Sequence, residues 1–98
     1  HMFYMGAGDI WRWQMNAARA MGNTLDERYL PDLERAVLEN EDARVKGMAA
    51  WAVGRIGGPE AHKRLQELPP EDDPLVALEI QGALGRCNAV KGQIQNAT

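Results

Sequence analysis

A chain of 98 residues can bury one modest core, and its formal net charge of -3 excludes a uniformly basic nucleic-acid binder, leaving room only for local basic patches. A single cysteine, Cys87, excludes an internal disulfide framework and any all-cysteine metal site within one chain. No apolar run is long enough to span a bilayer and no secretory signal is legible, so a cytoplasmic protein with no membrane contact is expected.

His1-Met2 reads as a cloning scar, and Phe3 to Gly8 as an extended lead-in, so residues 1–8 stand outside the repeat domain. Asp9 is suited to cap a first helix running to about Met21, with Trp13, Ala17, Ala20 and Met21 at helical spacing as its buried stripe. Gly22-Asn23 ends it. Thr24-Leu25-Asp26-Glu27 then has the form of a capping box for a second helix to about Leu38, whose apolar side is Leu30, Leu33, Val37 and Leu38. Pro31 inside that pattern belongs to the first turn, or else the helix starts later than the box implies.

Asp42 caps a third helix carrying Val45, Ala49, Ala52, Val53 and Ile56. Gly57-Gly58-Pro59 stops it and opens a fourth, with Ala61, Leu65 and Leu68, before Pro69-Pro70. Asp73-Pro74 starts a fifth, with Val76, Ile80, Ala83, Leu84 and Cys87. Residues 88–98 are polar and without clear periodicity, and are expected to be a loose tail.

Gly22, Gly54 and Gly85 recur at a spacing of about 31–32 residues, within the range of helical repeats. The expectation is an all-α fold: a short α-solenoid of about two and a half repeats over residues 9–87, two hairpins and one further helix, each unit covering its neighbour's apolar face.

Asp42, Val45, Ala49-Ala50, Ala52, Gly54, Ile56-Gly57 and Leu65 resemble the HEAT-like repeat of the phycobilisome-lyase type, which implies a scaffold and no particular activity. A narrower resemblance rests on Trp13, Asn16-Ala17, Ala20 and Gly22-Asn23, then Gly47, Ala49-Ala50-Trp51-Ala52 and Gly54-Arg55-Ile56-Gly57-Gly58. It is to the C-terminal repeat domain of epoxyqueuosine reductases and their iron–sulfur relatives. Met15 and Met48 depart from that pattern, where the family has a basic residue and a histidine. The resemblance implies a non-catalytic module serving queuosine maturation by docking tRNA or bracing a catalytic domain. In the parent protein that domain would bind cobalamin and two [4Fe-4S] clusters through cysteine motifs this chain lacks, so no cofactor is expected here. The competing class is a stand-alone protein-interaction scaffold; a chromophore-lyase activity is opposed by the lack of a catalytic constellation.

Individual residues offer little chemistry. Cys87 falls on a buried stripe, where a thiol is inert. His62 has no second ligand at metal spacing, and Gly57-Gly58 lacks the Lys and Ser/Thr of a phosphate loop. Asn23, Arg55 and Arg86 are different: each follows a repeat glycine, so they should line one rim. Dipole pairing accounts for such placement; contact with tRNA phosphates, with Arg28, Lys63 and Arg64 nearby, is the sharper reading. Trp11 and Trp51 could then stack on bases. The opposite rim collects Glu39, Glu41, Asp42, Glu71, Asp72 and Asp73. Exposed apolar residues at both ends of the stack imply weak self-association.

Overall fold

A computed structural model of the chain describes the backbone of residues 10–96 and the side chains of residues 10–87; the lead-in and its Asp9 cap lie outside them. The described residues form five α-helices and no strand: α1 (Ile10–Thr24), α2 (Leu30–Glu39), α3 (Ala43–Ile56), α4 (Gly58–Gln66) and α5 (Pro74–Asn96), with a single 3-10 turn, Glu27–Tyr29, before α2. Helices α1, α3 and α5 lie side by side as one layer; α2 leans on α3 and α4 on α5 as the second. This is a short α-solenoid of helical hairpins.

Local chemistry sets the boundaries. Asp42 accepts a hydrogen bond from the Arg44 amide at 2.9 Å, and Asp73 accepts from the amides of Leu75 and Val76 at 2.9 and 3.2 Å, each satisfying free donors of a helix start. Pro31, Pro59 and Pro74 all sit in first turns, where their missing N–H costs nothing. Gly57 and Gly58 take φ of +68° and +87°, which lets α3 end and α4 begin without a linker.

The capping box does not form. Thr24 Oγ1 instead donates to the Met21 carbonyl and accepts from the Asp26 amide, Asp26 caps the 3-10 turn, and α2 starts only at Leu30. Helix α1 likewise runs past Gly22-Asn23 to Thr24, and the left-handed residue after it is Leu25, with φ of +58°.

The core is a single cluster in which Leu30, Leu33, Val45, Val53 and Val76 are the largest fully buried side chains. Each contributes on the order of 1.5–3 kcal/mol of burial. Ala36 fills the place expected of Leu38, which is exposed. In α1 the expected stripe holds at Met21 and in part at Ala17 but is corrected elsewhere: Gln14, Ala18 and Gly22 are buried with Met21, while Trp13 and Ala20 are exposed. The physical reason is positional. Trp13, Ala17 and Ala20 correspond to Val45, Ala49 and Ala52, which are fully buried because α1 covers them, and among the described residues no helix precedes α1. Helix α5 continues to Asn96, into the stretch expected from residue 88 to be a tail, and no proline interrupts it.

Close approach of the first-layer helices depends on glycine. A Cβ on Gly22 would lie 2.9 Å from both Cα and Cβ of Ala52, and one on Gly54 would lie 2.8 and 2.7 Å from those of Ala83. The recurring glycine of one helix therefore seats the recurring alanine of the next, which is why the sequence repeats both.

Candidate partner-binding face

Helices α1 and α3 carry five cationic side chains, Arg12, Arg19, Arg44, Lys46 and Arg55, and no carboxylate, although the whole chain is net negative. Acidic residues occur instead at helix starts, in turns, in the second layer and, as Glu79, on α5. The α1–α3 part of the first layer is thus a locally basic face. Two of its cations flank the half-buried Trp11: the guanidinium of Arg44 is 3.5 Å and that of Arg12 5.1 Å from the ring centroid. Arg44 is also chelated by Asp42 at 3.0 and 2.8 Å, and that contact holds the Asp42 carboxyl below its ordinary range. Arg28 does the same for Asp26, at distances from 2.7 to 3.2 Å.

A groove of about 540 Å³ crosses this face over α3, between α1 and α5. Met15, Met48, Trp51 and Leu75 give it an apolar lining, with Arg19 from α1 and Glu79 from α5 at its walls. Methionine and indole surfaces adapt to flat or irregular apolar groups, and the flanking charges can orient a polar one. No nucleophile with an adjacent base faces this groove.

Of the expected rim, Asn23 and Arg55 lie in the last turns of α1 and α3, and Arg86, at the equivalent repeat position, lies midway along α5. Arg55 Nε donates to Asn23 Oδ1 at 3.4 Å, while Arg86 Nη2 turns back toward the Trp51 carbonyl at 3.5 Å and lies 3.9 Å from Glu79. The other three candidates sit elsewhere. Arg28 is in the α1–α2 connection, paired with Asp26. Arg64 braces α4 to α2 through Glu34 at 2.7 Å and pairs with Glu60 at 3.0 Å. Lys63 is exposed on α4.

Arg12 and Arg19 were not singled out from the sequence, and Met15, Met48 and Trp51 were noted there without being brought together as one groove. The signal was available, because Arg12 and Arg44 share a repeat position just as Asn23, Arg55 and Arg86 do.

Half of the acidic rim has a structural role: Asp42 and Asp73 cap helices, and Glu71 holds Lys46 at 3.0 and 3.1 Å. Among the described residues no group of His, Cys, Asp and Glu is placed to hold a metal ion. Burial pushes the Cys87 thiol up, which keeps it neutral and unreactive. None of the described helices is long and apolar enough to cross a membrane.

The pattern of the HEAT repeats family matches residues 10–85. The chain is 35% identical over 69 residues to epoxyqueuosine reductase of Bacillus subtilis (strain 168), a stretch that covers 69% of this chain and 18% of that protein. It is 38% identical over 68 residues to a Geobacillus stearothermophilus protein described as an uncharacterized protein in the gldA 3' region, covering 68% of this chain and 32% of that one. The chain therefore spans no more than about a third of the length of either relative. No solved structure matches it.

Proposed function

The chain belongs to the HEAT-repeat family, and on that premise we propose that it is the non-catalytic repeat module of an epoxyqueuosine-reductase-like iron–sulfur protein, with a first-layer face that docks tRNA. The observation carrying this reading is the segregation of charge: Arg12, Arg19 and Arg55 are exposed on helices that hold no carboxylate, in a chain that is negative overall. Guanidinium groups on one rigid layer neutralise phosphates and release counterions without reading sequence. Trp51, half-buried in the groove beside them, supplies an aromatic edge for an unstacked base or a ribose. The module performs no reaction. Among the described residues the cobalamin and clusters implied for the parent find no ligand set, and the one cysteine is buried in the core.

Electrophoretic titration with tRNA tests this. At low salt a shift is expected in the range of about 1–100 µM, weakening steeply as salt rises. Arg19→Glu and Arg55→Glu should each weaken it, while Lys63→Glu on the second layer should change it less. Absence of a shift at about 100 µM overturns the reading. The apolar lining of Met15, Met48, Trp51 and Leu75 favours a second one, in which the same groove braces a neighbouring protein domain.

A further inference from the structure

The two seams of the first layer share one rule. Positions Trp13, Ala17 and Ala20 of α1 recur as Val45, Ala49 and Ala52 of α3 and as Val76, Ile80 and Ala83 of α5, and in α3 and α5 every one of these is buried against the preceding helix. On the other side of each seam stands the recurring glycine, Gly22 against Ala52 and Gly54 against Ala83. Among the described residues both halves of a third such seam lie on the surface with no helix against them. Ala20 is exposed on α1, on the same side as Trp13, which is 45% exposed. Gly85 is exposed on α5 with nothing within 4 Å of where its Cβ would be. Leu75, Leu78, Gly82 and Gly85 follow the spacing of a helix-docking stripe, and the two leucines are 74% and 68% exposed.

We propose that these faces join head to tail, α5 of one copy seating α1 of the next, so that the chain assembles into an open row continuing its own repeat. In the register of the internal seams, Ala20 lies on Gly85 of the neighbour and Trp13 meets Leu78. At that contact α1 carries Trp13 where the other helices carry Val45 and Val76, and α5 carries Leu78 where they carry Met15 and Gly47, so both sides of the joint are apolar there. Charge agrees as well. Arg86, at the rim of the docking face, meets the neutral amide of Asn23 rather than a third guanidinium. The second layer is not needed at the joint, because α2 leans on α3. A single helix-to-helix contact is smaller than a stable interface requires, so the association is weak, and because its two faces differ it does not close into a symmetric dimer.

Sedimentation over a range from about 10 µM to about 1 mM tests the proposal without RNA, independently of the tRNA reading. The weight-average mass is expected to rise continuously above the 10.9 kDa of one chain, with no plateau at two. Gly85→Leu blocks one face and Ala20→Arg the other. Both positions are exposed, so each variant should keep the parent's circular dichroism and sediment as a monomer. An equimolar mixture of the two retains one complete joint and should give a two-chain complex and nothing larger. A monomeric parent at about 1 mM, a single variant that still associates, or a mixture that stays monomeric each overturns the proposal.

Discussion

At the α1–α3 seam Gly22 lies on Ala52, and beside it Arg55 donates to Asn23 at 3.4 Å; at the α3–α5 seam Gly54 lies on Ala83, but Arg86 reaches the Trp51 carbonyl and Glu79. The backbone contact is common to both, and the polar contacts differ. Close approach admits one residue type on each side, whereas a long guanidinium on an exposed rim accepts whatever acceptor is near. Gly85 holds the same repeat position with no helix against it among the described residues, so three equivalent glycines separate packing from helix propensity.

Gly54→Ala should have the largest effect. Its Cβ would stand 2.8 Å from the Cα of Ala83, and backbone cannot rotate away, so we expect a loss of about 2 kcal/mol in urea unfolding. Gly22→Ala, at 2.9 Å from Ala52, should lose somewhat less. Gly85→Ala should reverse the sign and gain about 0.5–1 kcal/mol, since an interior helical glycine is replaced and nothing is crowded. Equal melts for all three would mean that the seams tolerate spreading and that glycine is not what sets their distance.

The same comparison explains what the sequence revealed. The recurring glycines and alanines pointed to the solenoid because both sides of each seam repeat, and Asp42 and Asp73 were legible as caps because a cap depends only on its own helix start. Burial of Trp13 and Ala20 was misjudged because burial at that position depends on a preceding helix, and periodicity cannot show whether one is there. Thr24 to Glu27 fit a capping box, yet Thr24 is still helical and its hydroxyl caps backward onto Met21, a choice between two local hydrogen bonds that spacing leaves open. The row of Asn23, Arg55 and Arg86 was legible as a repeat position. The groove was not, because Met15, Trp51 and Leu75 come from three helices at three different repeat positions.

Ion pairs sharpen the contrast further. Lys46 and Glu71 join α3 to the turn before α5 with side chains only 18% and 16% exposed, whereas Arg28 is 87% exposed in its pair with Asp26. Glu71→Gln should therefore cost about 1 kcal/mol, between the surface and buried limits, and should do so at high salt as well. Asp26→Ala would lose mainly its cap on the 3-10 turn, and adding salt to the parent should reproduce none of the Glu71→Gln effect.

The smallest effect is expected from Asp42→Asn, and it is visible only as a function of pH. The Arg44 side chain holds the Asp42 carboxyl below its usual 3.8, so the folded state binds this proton less readily than the unfolded chain does. Stability from this group is present above that usual value and is lost as pH falls through the lower folded value. Asparagine still caps the Arg44 amide but cannot titrate. Urea midpoints should thus place the variant slightly below the parent at pH 7, and the gap should close as pH drops below 3.8. A gap that persists unchanged at pH 2 would assign the difference to the cap rather than to the Arg44 pair.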